Sequence, residues 1–322
     1  MSILKRYYWI AIIIALLALP FVMGSYYWIR LITTMGVYLI IAMGLNMLLG
    51  YTGLVSIGQA GIFGVTAYTA GMLMKKGGMG FWTSFLLVLL LGAFIGLFIG
   101  VITLKLKQAY LAISTLGLAL MVQNVLLNWR EFTGGFEGLL GVPKPTVFGF
   151  VIRDPSHVLF MVVVFCLLTF FIIWNVSNSK WGRSMRAVKD DEIAASMMGI
   201  DVVRIKLLAF TLSAVFAAVS GGLYAGLYGA MFPDYFSMDL SVTFLCMVVL
   251  GGMGTVLGPI IGASVITFGL EMLRGLGEGQ MLVYGILIVA VCVLKPGGVL
   301  EIVKDVENLF AMNKRKGAGE NV

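Results

Sequence analysis

Charge is what this sequence has least of. Asp, Glu, Lys and Arg make up 11% of its 322 residues, against about 25% in an ordinary soluble domain. With 60% hydrophobic residues and a mean hydropathy of +1.03, the chain is excluded from the soluble globular class and reads as an all-α, polytopic membrane protein. Histidine occurs once, as His157 after Arg153-Asp154-Pro155 at the start of an apolar stretch, the position of an interfacial polar residue rather than a metal ligand. The three cysteines, Cys166, Cys246 and Cys292, are far apart and lie within apolar blocks, which excludes a disulfide framework and a cysteine metal site. Lys never directly follows Gly, so the phosphate-cradling Gly-x-x-x-x-Gly-Lys-[Ser/Thr] loop is missing, and with it ATP hydrolysis by that route. The middles of the apolar spans also lack the ionisable residues that ion-coupled carriers keep there. Two rival classes lose ground on these absences: a secondary transporter, and a membrane enzyme built on paired carboxylates, His-Glu or Cys-His groups.

What charge there is has a pattern. Net charge is +7, but the 22 Lys and Arg are scattered between apolar spans, so lipid headgroups and positively charged cytoplasmic segments account for them better than nucleic acid. Hydrophobic spans read at about 31 to 49, 57 to 74, 82 to 104, 109 to 127, 157 to 176 and 206 to 229. A retained first helix is expected over Tyr7 to Phe21 and a last span at 281 to 294, for about 8–10 transmembrane helices in one transmembrane domain over 1–322. The block 241 to 270 has the wrong length: too long for one straight span, too short for two. Gly251-Gly252-Met253-Gly254-Thr255 and Gly258-Pro259 break it in the middle, so it reads as a discontinuous or re-entrant segment that begins and ends toward the external face. With that segment, both termini are cytoplasmic. Segment 177–206 is then cytoplasmic, 128–156 is an external loop, and 313–322 is a disordered tail.

Glycine is abundant, with Gly92, Gly96 and Gly100, Gly222 and Gly226, and Gly254, Gly258 and Gly262 each four apart. That spacing lets helix backbones approach closely in lipid. Two polar clusters interrupt the apolar background, Ser56 and Gln59 among glycines, and Ser114-Thr115 after Ala109-Tyr110-Leu111-Ala112-Ile113. Such residues hydrogen-bond neighbouring helices or line a path for a solute, and the residues alone leave both readings open.

The longest charged run, Lys180 to Asp201, lies between two membrane-length blocks. Lys180, Arg183, Arg186 and Lys189 precede Asp190, Asp191 and Glu192. Arg186 with Asp190 at i,i+4 and Lys189 with Glu192 at i,i+3 support a short docking helix. Gly199 is placed to end it in a left-handed cap, and Asp201 to cap the next helix.

The run Gly182-Arg183-x-x-Arg186-Ala187, followed by Ala194-Ala195-x-x-x-Gly199, resembles the ATPase-coupling loop of ABC importer permeases, and more narrowly of the LivM-type branched-chain amino acid permeases. In the generic loop a Glu directly precedes Ala-Ala; here Ile193 intervenes after Glu192. The clusters at Gly53 to Tyr68 and at Ser114-Thr115 are similar to that family's signatures, as are Thr133-Gly134-Gly135 with Gly138-Leu139 and Leu250-Gly251-Gly252-Met253-Gly254-Thr255 with Gly258-Pro259. Together they run from about residue 31 to Pro296 in the family's order. The resemblance implies an inner-membrane permease, with no cofactor of its own, that pairs with a paralogous permease. It also implies two ABC ATPase subunits that use ATP and Mg, and an external solute-binding protein, the whole importing branched-chain amino acids across the lipid bilayer. A urea or short-amide permease is the neighbouring branch. It further implies that Gly182, Arg183, Arg186, Ala187, Asp190, Asp191, Glu192, Ala194, Ala195 and Gly199 form the ATPase-coupling surface. Ser56, Gln59, Ser114 and Thr115 are the candidates for the translocation path.

Overall fold

A computed structural model describes residues 25–103, 108–147, 150–152, 154–276 and 285–286. The expected first helix, the tail at 313–322 and most of the last span lie outside the described residues. Five described helices are long and apolar enough to cross a membrane: α1 (Tyr26–Thr52), α3 (Phe81–Thr103), α4 (Gln108–Asn128, its apolar stretch starting at Tyr110), α6 (Pro155–Asn178) and α9 (Val202–Tyr228). Shorter ones are α2 (Gln59–Lys75), α5 (Arg130–Thr133), α7 (Lys180–Asp190), α8 (Glu192–Met197), α10 (Met238–Gly251) and α11 (Gly258–Met272). Among the described residues, strand structure is confined to two-residue pairs, Leu139–Leu140 with Ala230–Met231 and Thr146–Val147 with Phe150–Val151, in the connections at one end of the bundle.

Helix α1 is the central post. Val37, Ile40, Ile41, Leu45 and Met47 are fully buried, and α1 packs against α6, α7, α9, α10 and α11. With no hydrophobic drive between helices in lipid, close backbone approach supplies the attraction, and α3 and α9 show how. A Cβ on Gly96 would lie 2.8 Å from Thr211 Cα, and one on Gly222 would lie 2.6 Å from the Phe85 ring, so glycines on both helices accept the other's bulk.

The block of awkward length is a hairpin. Helix α10 runs alongside α1, with the Phe244 ring 5.3 Å from that of Tyr38, and reaches a turn at 252–257 beside Asn46 and Gly50 near the end of α1. Helix α11 then returns to the start of α1, where Phe268 meets Trp28 and Glu271 accepts from the Tyr27 hydroxyl. Both arms thus open toward the same end of the bundle, opposite to the turn. The glycine stripe is offset from the expected one: Gly254 lies in the turn, and Gly251 joins Gly258 and Gly262 at the α10–α11 contact, where added Cβ atoms would strike opposing backbone oxygens.

Candidate functional site

The polar run folds as two helices meeting at a corner. Ser179 caps α7, its hydroxyl accepting from Trp181 N at 3.1 Å. Asp191 ends α7 by turning extended, at φ −158 and ψ 115, and its carboxylate accepts from Ile193 N at 2.8 Å and Ala194 N at 3.0 Å. One capping carboxylate therefore divides what the sequence suggested was a single docking helix. Gly199 adopts φ 80 just beyond α8, and Asp201 accepts from Arg204 N at 3.1 Å to start α9.

That division corrects the expected intrahelical charge pairs. Glu192 belongs to α8 and pairs with Lys206 of α9 at 2.7 Å, leaving Lys189 to donate to the Gly50 carbonyl at 2.9 Å. Arg186 does not spend its charge on Asp190: it donates to Ser177 O at 3.2 Å and lies over the Tyr51 ring at 5.8 Å. Both carbonyls lie in the last turns of their helices, α6 and α1, where a cation meets unsatisfied acceptors and the negative end of the helix dipole. Tyr51 completes the joint by donating to the Ser177 hydroxyl at 3.1 Å.

The candidate coupling residues separate by burial. Gly182 is buried at the α6–α7 corner, where a Cβ would meet the Val176 carbonyl oxygen at 2.6 Å; Ala195 is also buried and Ala187 is half-buried. Arg183, Arg186, Asp190, Asp191, Glu192, Ala194 and Gly199 are exposed, with Arg183 donating to Asn178 O at 3.3 Å. Between them stand three apolar side chains that reading for charge overlooked: Ile193 at 71% exposure, Met197 at 82% and Met198 at 83%. Ile193 and Met197 are four apart, a spacing that puts them on one helical face. Apolar residues inside the most polar run of the chain were the signal that would have found them. The outward surface of this corner is an apolar centre rimmed by charge, the composition of a protein-docking patch.

Three of the four path candidates come together, at the break between α1 and α2. Ser56, Gln59 and Thr115 are buried there. Thr115 Oγ1 accepts from Ile57 N at 3.0 Å, Gln59 Nε2 donates to Ser213 Oγ at 2.9 Å, and Ser241 Oγ accepts from Ala60 N at 3.1 Å. Backbone freed from helix at that depth needs such partners; Thr115 and Gln59 reach across elements, while Ser56 Oγ accepts from Gly58 N at 3.5 Å within the break. Gln59 Oε1 is buried with no hydrogen-bond partner. Ser114 lies elsewhere, on the exposed face of α4, its hydroxyl donating to Tyr110 O at 2.7 Å.

That face of α4 differs from the others. Helix α3 turns Leu86, Leu90, Phe94, Leu97 and Val101 outward, a surface suited to lipid tails. Helix α4 exposes Ser114, Asn124 and Asn128 at helical spacing with Ile113 and Met121, and nothing lies within 4 Å of a Cβ at Gly117 between them. Side-chain amides on a lipid-facing surface are costly, even when Asn124 and Asn128 turn back to carbonyls of their own helix. Among the described residues no group of three or more His, Cys, Asp or Glu is placed to hold a metal.

The family described as Branched-chain amino acid transport system / permease component matches residues 27–292. The chain is 34% identical over 328 residues to the high-affinity branched-chain amino acid transport system permease protein LivM of Salmonella typhimurium, covering 94% of this chain and 76% of the relative. The Escherichia coli LivM is 34% identical over 326 residues with the same coverage. The autoinducer 2 import system permease protein LsrC of Yersinia pseudotuberculosis is 26% identical over 239 residues, 72% of this chain and 65% of the relative. No solved structure matches.

Proposed function

Because the chain belongs to the branched-chain amino acid transport system permease family, we propose that it is the membrane-spanning subunit of an ATP-driven ABC importer of branched-chain amino acids. It is a transport subunit rather than an enzyme. The observation that carries this reading is the likeness to LivM over 94% of the chain at 34% identity. ATP and Mg act on two partner ATPases, which dock on the corner formed by α7 and α8. The exposed Ile193, Met197 and Met198 seat in a groove of the ATPase, and the surrounding charges set its register. That corner is then cytoplasmic, the chain lies in the bacterial inner membrane, and an external binding protein delivers the solute at the opposite end. Helix α4, whose outward polar side chains suit a protein neighbour better than lipid, faces a paralogous permease. Ser114 is on the path side of that contact. Ser56, Gln59 and Thr115 stand one layer behind it, where they hold the broken end of α2 in place.

The test is uptake of labelled leucine, isoleucine and valine into proteoliposomes carrying the four membrane-bound subunits and the binding protein. Uptake is expected only with ATP. Uptake that continues without ATP while an ion gradient is held makes the chain a secondary transporter. The Yersinia relative is named for a different solute, so a solute panel including urea and short amides runs in parallel.

A further inference from the structure

Three elements meet at the end of α1. Helix α1 closes at Thr52, so the carbonyls of its last turn lack intrahelical donors. Leu49 O receives Gly53 N at 3.1 Å, and Gly50 O receives the Lys189 ammonium at 2.9 Å. A cation there also meets the negative end of the helix dipole. One turn earlier on α1, buried Asn46 grips the α10–α11 turn with both ends of its amide: Oδ1 accepts from Gly254 N at 2.9 Å, and Nδ2 donates to Thr255 O at 2.7 Å. Asn46 and Gly50 are four residues apart on one helical face, and a Cβ on Gly50 would strike Gly254 N. The Lys189 ammonium is 3.9 Å from where a Cβ on Gly254 would lie. Docking helix, helix end and hairpin turn are therefore in direct sequence, Lys189 to Gly50 and Asn46 to Gly254-Thr255.

In the turn, Gly252 at φ 116 and Gly254 at φ 77 occupy backbone conformations that other residues rarely adopt, and Met253 and Leu257 are exposed. At the break at 53–58, hydroxyls of α4 and α10 take up Ile57 N and Ala60 N, and Gln59 ties to Ser213 of α9.

We infer that Lys189 and Asn46 are positioning residues that tie the α10–α11 turn to docking helix α7 through the last turn of α1, so that displacement of α7 by the ATPase carries the turn with it. The inference deepens the importer reading and rests on it for the source of the displacement. Neither residue touches solute; both act through the backbone they hold.

The experiment uses the assembled complex in nanodiscs with Lys189→Met and Lys189→Arg variants. Solute moved per ATP hydrolysed is one readout. The other is the spin-label distance between Met253→Cys on the turn and Lys180→Cys on α7, measured with and without a non-hydrolysable ATP analogue. In the unmodified complex the distance stays narrow and the same in both nucleotide states. Lys189→Met is expected to keep ATP hydrolysis, to lower transport per ATP by roughly threefold to thirtyfold, and to broaden the distance when nucleotide is bound. Lys189→Arg, which keeps the charge and the donors, restores both. A Lys189→Met complex with unmodified transport per ATP, or with the distance still narrow in both states, overturns the link. The distance arm needs no solute, so an unmodified complex that imports nothing removes the importer reading while the link is still decided.

Discussion

Residues 53–58 and residues 252–257 both leave helix between apolar helices, and they meet the same need with different partners. At the first, backbone N–H groups are taken up by the hydroxyls of Thr115 and Ser241, and Gln59 ties across to Ser213, all within the bundle and all uncharged. At the second, a buried amide holds both sides of the turn, and a lysine from the polar corner caps the helix end next to it. The first is tied by uncharged side chains of neighbouring spans. The second is tied by Asn46, one turn from the carbonyl that Lys189 caps. An irregular segment at membrane depth is thus understood by asking which element supplies its hydrogen bonds.

The comparison breaks most severely if the hairpin cannot close. Gly262→Val drives a side chain into the Met247 carbonyl, and backbone cannot move aside without parting α10 from α11, so about 3 kcal/mol or more is lost. Little monodisperse protein should be recovered in detergent, whereas Gly117→Val on the open face of α4 should yield normally. Equal yields would mean that α10 and α11 are not in contact.

Next in size is Asn46→Leu, which keeps volume and strips both bonds from Gly254 and Thr255, at about 2 kcal/mol. Its counterpart at the first break, Ser213→Ala, removes one bond to Gln59 and should cost about 0.6 kcal/mol, the average for a hydrogen bond between membrane helices. Thermal unfolding midpoints in detergent rank the two; the reverse order would erase the distinction drawn here. The smallest effect is chemical rather than energetic. Cysteine at Ser114 should react readily with a water-soluble thiol reagent in the detergent-solubilised chain, while cysteine at Ser56 or Thr115 should react at least about tenfold more slowly, since opening the buried site costs 1.4 kcal/mol or more. Fast labelling at all four path candidates, Gln59 included, would make the first break a wet channel lining.

Much of this was legible in the sequence because membrane-length apolar runs, glycine spacing and a charged interruption each act locally. The span positions within the described residues, the break in block 241 to 270 and the capping roles of Gly199 and Asp201 follow from such signals. What stayed hidden depends on chain segments far apart. Arg186 and Lys189 have sequence neighbours of opposite charge, yet they bind carbonyls at the ends of α6 and α1, because Asp191 stops α7 and the corner folds back onto those helix ends. Asn46 was passed over in an apolar span, because its partners lie 208 and 209 residues away. Ser56, Gln59 and Thr115 were grouped by polarity, and only the packing separates them from Ser114.

An ATPase docked on the corner formed by α7 and α8 would lie within reach of side chains at that corner and nowhere near the lipid face of α3. A photo-crosslinking side chain at Met197, the exposed apolar centre of that corner, tests it in native membranes, with the same group at Phe94 on the lipid face of α3 as the reference. The account predicts that Met197 captures an ATP-hydrolysing subunit and that Phe94 captures lipid alone. Capture of no ATPase from Met197, or of equal amounts from both positions, would contradict it.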